Sequence, residues 1–210
     1  SHGGFVSFKG SRKKPIRGAR VDSRRTILLA SASPRRVDLL QRLGFRVRVV
    51  HPHVVESANP GELPAETARR LALAKARSVA APEQNLVLGA DTVVVLDGEC
   101  LGKPKSALAA RRMLARLSGR THQVVTGFAL LLDGRFMTQV VCTEVAFRRL
   151  TTAEIRKYVS LGESLDKAGA YAIQGQGAVF VDRIVGSFTN VIGLPVGDVL
   201  RAMEGFADGN

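Results

Sequence analysis

One carboxylate, Asp91, stands inside an otherwise apolar run in the stretch LVLGADTVVVLDGECLGKP, residues 86–104. Ionised in such surroundings it needs a cation, a metal or hydrogen-bond donors, because an unpaired carboxylate is too costly to bury. Gly89, Ala90 and Thr92 beside it are small, which leaves backbone room for a ligand. The tight turn Gly102-Lys103-Pro104 aims a lysine outward from the same stretch. The plainer alternative is that Asp91 caps a bend and Lys103 is solvated. A second group is SASPRR, where Ser31, Ser33, Arg35 and Arg36 lie between a short apolar segment and a helical pattern. Free backbone N–H groups and the helix dipole make such a junction an anion site. An ordinary capped helix with solvated arginines would look the same in sequence. Lys75 falls on or beside the apolar face of a third element, where it either snorkels to solvent or points its ammonium into a cleft. His51 and His53 are two apart, but with four histidines in the chain and no third ligand in view they read as a solvated loop that runs on through Glu56.

The elements that must hold these residues follow from periodicity and turn chemistry. Residues 26–30 read as a short buried strand, and Ser33 and Pro34 suit the N-cap and first position of a helix that Gly44 stops. Residues 45–49 alternate as a half-exposed strand, and residues 64–80 form a helix with Ala68, Leu71, Ala72, Ala76 and Val79 inward. Residues 86–96 read as apolar strand interrupted by Asp91, and Asp97-Gly98 is a two-residue hairpin signal. Ser106 opens a helix, residues 121–132 and 136–147 are strands joined at Asp133-Gly134, and Thr151 with Glu154 forms a capping box. DKAGAYAIQG, residues 166–175, is small and polar with no clear period, which suits a loop in close contact with a ligand. Residues 178–185 read as a strand, 186–193 as a turn-rich return, and Pro195 opens the last helix. Strands and helices in this order, with hairpins interrupting the crossovers, give an α/β fold with a mixed central sheet flanked by helices.

The 210 residues carry a net charge of +13, of which +7 lies in residues 1–25, where eight Lys or Arg face only Asp22. That segment has no hydrophobic periodicity and reads as a disordered or loosely docked extension, ahead of one domain over 26–210. A cloning remnant or mis-called start is the plain reading, and a nucleic-acid arm or targeting segment the sharper one. A nucleic-acid-binding protein is therefore the rival class, but no Trp, only two Tyr and no recognised binding signature argue against it. No apolar run approaches a membrane span. Cys100 and Cys142 have no metal-ligand spacing and are expected to be packing residues in a reducing, cytoplasmic compartment.

Taken together, ASASPRR, the Glu56 loop, RLALAKA, GADTVVVLDGECLGKP, LSGRTHQVVTG, DKAGAYAIQG and GLPV resemble the Maf family of nucleoside triphosphate pyrophosphatases across residues 26–206. DKAGAYAIQG is similar to the branch acting on dTTP and UTP rather than the one acting on 7-methyl-GTP. The resemblance implies two lobes around a deep cleft, as in inosine triphosphate pyrophosphatase, usually a homodimer, with a divalent cation. It puts the proton acceptor at Asp91 and specificity positions at Arg35, Thr92 and Gln174. Where the family often has an acid before the loop glutamate, this chain has Val55, so metal binding by the loop would rest on Glu56. The chemistry is coherent with this. Water attacking the α-phosphorus of a triphosphate requires close to four negative charges to be neutralised. Arg35, Arg36, Lys75 and Lys103 supply cations, and Mg²⁺ or Mn²⁺ on Glu56 and Asp91 would complete the clamp. Asp91 either deprotonates the water or holds the metal. A pyrophosphatase for modified nucleotides is the alternative within the same class.

Overall fold

The computed structural model describes residues 26–79 and 85–207. The basic segment 1–25 lies outside the described residues, as does Ala80 at the expected end of the second helix. In chain order the elements are β1 (Thr26–Ala30), α1 (Pro34–Arg42), β2 (Arg46–Val50), α2 (Pro64–Arg77), β3 (Leu86–Leu96), β4 (Glu99–Leu101) and α3 (Ala107–Leu117). There follow β5 (Thr121–Leu132), β6 (Arg135–Phe147), α4 (Thr152–Ser160), β7 (Val181–Val185), α5 (Phe188–Ile192) and α6 (Val196–Ala207). The sheet runs β2-β1-β3-β5-β6-β7, with β4 paired to β3. β1 is parallel to β2 and β3, and the remaining pairs are antiparallel. This is the mixed α/β sheet that the hairpin signals imply. Both hairpin turns carry positive φ at their two central residues, Asp97 and Gly98 in one, Asp133 and Gly134 in the other, as the type I′ geometry matching strand twist demands. Among the described residues no helix is long and apolar enough to cross a membrane.

β3 organises the two faces of the sheet by the period of two. Leu86, Leu88, Ala90, Val94 and Leu96 face the larger core, which α1, α3, α4, α5 and α6 cover with Leu40, Leu114, Val159, Ile192 and Met203 among others. Val87, Gly89, Asp91, Val93 and Val95 face the other way, where α2 lies on the sheet with Ala68, Ala72 and Ala76. The sequence expectation that Gly89 leaves room for a ligand is corrected here. A Cβ on Gly89 would run into the Ala72 carbonyl and, at 2.8 Å, the Ala76 amide nitrogen; one on Gly127 of β5 would strike the Ala68 carbonyl. Both glycines let the helix backbone rest directly on the strands.

Four other expectations change. Asp91 neither caps a bend nor closes a strand, because β3 runs unbroken through it for 11 residues. The strand expected at 178–185 begins only at Val181, since Gln176–Phe180 winds as a 3-10 turn that brings Phe180 into the core between consecutive exposed residues and β7. The return at 186–193 holds the short helix α5, capped by the Ser187 hydroxyl on the Asn190 amide. Cys100 and Cys142 are exposed, on β4 and β6, and not packed.

The close seat of α2 predicts that Gly127→Ala and Gly89→Ala each lower the unfolding free energy in urea by about 1–3 kcal/mol, the range for overpacking a tight contact. Gly102→Ala, whose added Cβ meets open space, is expected to stay within about 0.5 kcal/mol of the parent.

Candidate active site

β1 ends at Ala30, whose partner on β3 is Gly89, while β4 first pairs with β3 at Val94. On that side β3 therefore runs through Ala90–Val93 with no strand partner in either register. The break lies beyond the carboxyl ends of two parallel strands, where open α/β sheets place ligands. Arg36, from the first turn of α1, fills it. Its Nη1 donates to the Ala90 carbonyl at 2.9 Å and to Ser31 Oγ at 2.9 Å, its Nη2 to Thr92 Oγ1 at 3.0 Å, and its Nε to the Gly193 carbonyl at 2.8 Å. Burial lowers its pKa, with Asp91 opposing that shift and Arg35 adding to it. Arg36, expected among the cations offered to the substrate, lines the cleft with its fork committed to four protein oxygens, and it braces the floor of the site. Ser31, also buried, accepts from Arg36 and from the Ser33 amide at 3.2 Å. Ser33 occupies the N-cap as its position in the sequence suggests, but its side chain makes no capping bond.

The break opens into a cleft of about 400 Å³. All ten residues singled out in the sequence line it: Ser31, Ser33, Arg35, Arg36, Glu56, Lys75, Asp91, Thr92, Lys103 and Gln174. At its centre Lys75, 5% exposed, reaches out from α2. Its Nζ lies 2.7 Å from Asp91 Oδ1 and 2.8 Å from Glu56 Oε1. The lysine therefore points into the cleft and does not snorkel. It gives buried Asp91 its compensating charge and gathers the half-buried Glu56 loop to the same point. Burial pushes the Glu56 carboxyl up, but the bond and charge of Lys75, with Lys103 and Arg36 farther off, outweigh it and hold the group below the usual carboxylate range.

Arg35 donates from Nε to the Ile192 carbonyl at 3.3 Å, tying α1 to α5 across the cleft. Lys103 stands exposed at the rim. Gln174 is exposed on the loop 166–175, which brings Ala172 and Ile173 to the cleft as well. Thr92 Oγ1 is already engaged, accepting from Arg36 and lying 2.9 Å from Thr126 Oγ1 and 3.2 Å from the Gly193 carbonyl. The sequence reading missed His51, Lys167 and the carbonyls of Ile192 and Gly193 as parts of the site. The last two follow from α5, for which Ser187 three residues before Asn190 was the available signal.

The donor set suits a hard divalent cation. Among the described residues no three or more His, Cys, Asp or Glu side chains gather to hold a metal by themselves. Glu56 and Asp91 converge on one ammonium, so two carboxylates meet a single positive charge and offer oxygen ligands only. Such oxygens could hold Mg²⁺ or Mn²⁺, which bind through one or two carboxylates with phosphate oxygens completing the shell.

Comparison with known proteins gives a consistent picture. The model of the family described as Maf-like protein matches residues 26–206. A dTTP/UTP pyrophosphatase of Geobacter sp. (strain M21) is 50% identical over 182 residues, which is 85% of this chain and 94% of that protein. One from Bacillus pumilus (strain SAFR-032) is 45% identical over 86% of this chain and 96% of its own. Among solved structures, the Staphylococcus aureus Ham1 protein aligns with 88% of this chain and 99% of its own at 16% identity and a TM-score of 0.48.

The Lys75 bridge predicts a stability effect. Lys75→Met strands a buried carboxylate and is expected to cost about 3 kcal/mol in urea unfolding. Adding Asp91→Asn to that variant should recover part of the loss, whereas Lys103→Met, at the exposed rim, should change stability by less than about 0.5 kcal/mol.

Proposed function

The chain belongs to the Maf family, and on that premise we propose that it hydrolyses dTTP and UTP to the nucleoside monophosphate and pyrophosphate. The observation that carries this reading is the cleft in which Lys75 joins Asp91 to Glu56 while Arg35 and Lys103 stand on its walls. Relatives of about half-identical sequence bear the name dTTP/UTP pyrophosphatase.

In this reading the triphosphate lies along the cleft with its charge facing Arg35, Lys103 and the first turn of α1, whose backbone N–H groups favour an anion. Asp91 orients a water against the α-phosphorus and takes its proton. The water oxygen bonds to phosphorus, the bond to the bridging oxygen breaks, and pyrophosphate leaves. Lys75 fixes the carboxylate in position, and Arg36 fixes the strand that carries it. Glu56 and Asp91 would hold a Mg²⁺ or Mn²⁺, which when bound neutralises phosphate charge. Gln174, on the loop 166–175, offers a carbonyl acceptor and an amide donor to the edge of uracil or thymine, where an N3–H lies between two carbonyls. Cytosine presents an acceptor and an amine there, and unpaired groups in a closed site cost about 1–3 kcal/mol each. A homodimer in the cytoplasm completes the reading; the family resemblance supports the first, and two unpaired cysteines suit the second.

Asp91→Asn is expected to fold normally and to lose roughly 10² to 10⁴ in turnover, the scale of a general base. Near-normal turnover in that variant, or full wild-type activity in excess chelator, would sink the assigned roles. A panel of triphosphates assayed for pyrophosphate release tests the substrate. The expected order is dTTP and UTP ahead of CTP and the purine nucleotides, with the UTP:CTP ratio of kcat/KM falling about tenfold in Gln174→Ala. A wild type that prefers GTP would overturn the assignment.

A further inference from the structure

His122 is a histidine without an obvious reason. It sits on β5 facing the larger core, 2% exposed, among apolar and aromatic side chains. Its ring packs edge-on against Phe147 at 4.9 Å and Tyr171 at 5.4 Å between centroids. A buried imidazole costs stability unless its nitrogens are hydrogen-bonded, and a phenylalanine would fill this space without that cost. One nitrogen, Nε2, is 2.8 Å from the Tyr171 hydroxyl; the other, Nδ1, has no partner among the described residues. Burial pushes the His122 pKa down to about 4, so the imidazole is neutral at physiological pH and the contact joins two uncharged groups. His122 does not line the cleft, but Tyr171 does.

Tyr171 belongs to the loop that presents Ala172, Ile173 and Gln174 to the cleft. That loop has no strand pairing. It turns through positive φ at Gly169 and, unusually for a residue with a Cβ, at Ala170. It is anchored by the packing of Ala170, Tyr171 and Ile173 in the larger core and by a few individual bonds. The Gly169 amide donates to the Gly102 carbonyl at 3.3 Å, the Ala172 amide to the Tyr158 hydroxyl at 3.0 Å, and the Tyr171 side chain meets His122. Tyr158 and Tyr171 thus hold the backbone on both sides of the Tyr171–Ala172 peptide from within the aromatic cluster. Gln174 follows two residues later.

We propose that His122 is a positioning residue for base selection: through its hydrogen bond to Tyr171 it sets the height of the loop 166–175, and so where Gln174 meets the pyrimidine edge. The proposal rests on the dTTP/UTP reading of the cleft. A neutral hydrogen bond contributes about 1 kcal/mol, so its loss should show as a change in selectivity of roughly three- to tenfold and not as a collapse of turnover.

The test compares wild type with His122→Phe, His122→Gln, Tyr171→Phe and the His122→Phe/Tyr171→Phe double variant, measuring kcat and KM for UTP and CTP alongside thermal unfolding. His122→Phe and Tyr171→Phe should each lower the UTP:CTP ratio of kcat/KM about three- to tenfold, chiefly by raising KM for UTP. The double variant should be no worse than the singles, and His122→Gln, which returns a polar group near the Nε2 position, should restore most of the ratio. A purely structural role would move the unfolding temperature and leave the ratio in place. Wild-type ratios in the folded single variants, or strictly additive losses in the double, overturn the proposal; should His122→Phe fail to fold, Tyr171→Phe and His122→Gln decide it. A wild type that shows no preference for UTP removes the substrate reading instead. The coupling is then read from KM for the best triphosphate, and unchanged or uncoupled KM values overturn the positioning role itself.

Discussion

A parallel strand that stops early leaves a row of backbone groups on its neighbour to be satisfied by something else, and in this chain the replacement is a guanidinium. β1 gives out at Ala30 while β3 continues, and Arg36 enters the break to take the Ala90 carbonyl, the Ser31 and Thr92 hydroxyls and the Gly193 carbonyl. Buried polar groups are almost always paired, so the break is tolerable only because Arg36 supplies donors in a fixed planar fork. The cleft exists because the filling is an arginine and not another strand. A strand would have closed the edge, whereas the guanidinium leaves Asp91 and Thr92 lining an open cleft.

The second constraint is the distance between α2 and the sheet. Lys75 can reach Asp91 because the helix lies close enough for Gly89 and Gly127 to touch its backbone. With ordinary side chains at those two positions the helix would stand off. An ammonium held between two carboxylates is costly to desolvate, and its geometry must be good for the arrangement to persist. Glu56 contributes from a loop and remains half exposed, so the cluster is rigid on the sheet side and adjustable on the loop side. In the proposed function, that asymmetry suits a site that must admit a polyphosphate and then release products.

The opposite wall is built by different means. The loop 166–175 and α5 have little regular pairing of their own and borrow their order from side chains. Tyr158 and His122 meet the loop from the aromatic core, Tyr158 at the Ala172 amide and His122 at the side chain of the loop's own Tyr171, and Asn190, fully buried, donates from α5 to the Val124 and Val141 carbonyls and to Thr143 Oγ1. Charge chemistry thus sits on the wall fixed by the sheet, and base recognition, in the proposed function, sits on the wall fixed by a few hydrogen bonds. The two walls are joined across the cleft by Arg35 and Arg36 reaching the Ile192 and Gly193 carbonyls.

The sequence by itself determined whatever depends on near neighbours. The hairpins at Asp97-Gly98 and Asp133-Gly134, the capping box at Thr151 and Glu154, and the strand-to-helix handover at Ser33-Pro34 are set by sterics and bonds within a few residues. The oddity of Asp91 was visible in the same way, as a charge in an apolar period, and every site residue picked out by type lines one cleft. What a residue faces from across the chain was decided only by tertiary structure. Gly89 has the same composition signal whether a ligand or a helix approaches it; Arg36 reads as a solvated or substrate-facing cation until Gly193, 157 positions away, is brought against it. Whether Lys75 snorkels or enters a cleft is open until α2 is seated on β3, and nothing near His122 in the sequence points to Tyr171, 49 positions away. Those partners are chosen by sheet register and helix seating, which sum many weak contacts over the whole molecule, and no local pattern of residue types encodes that sum.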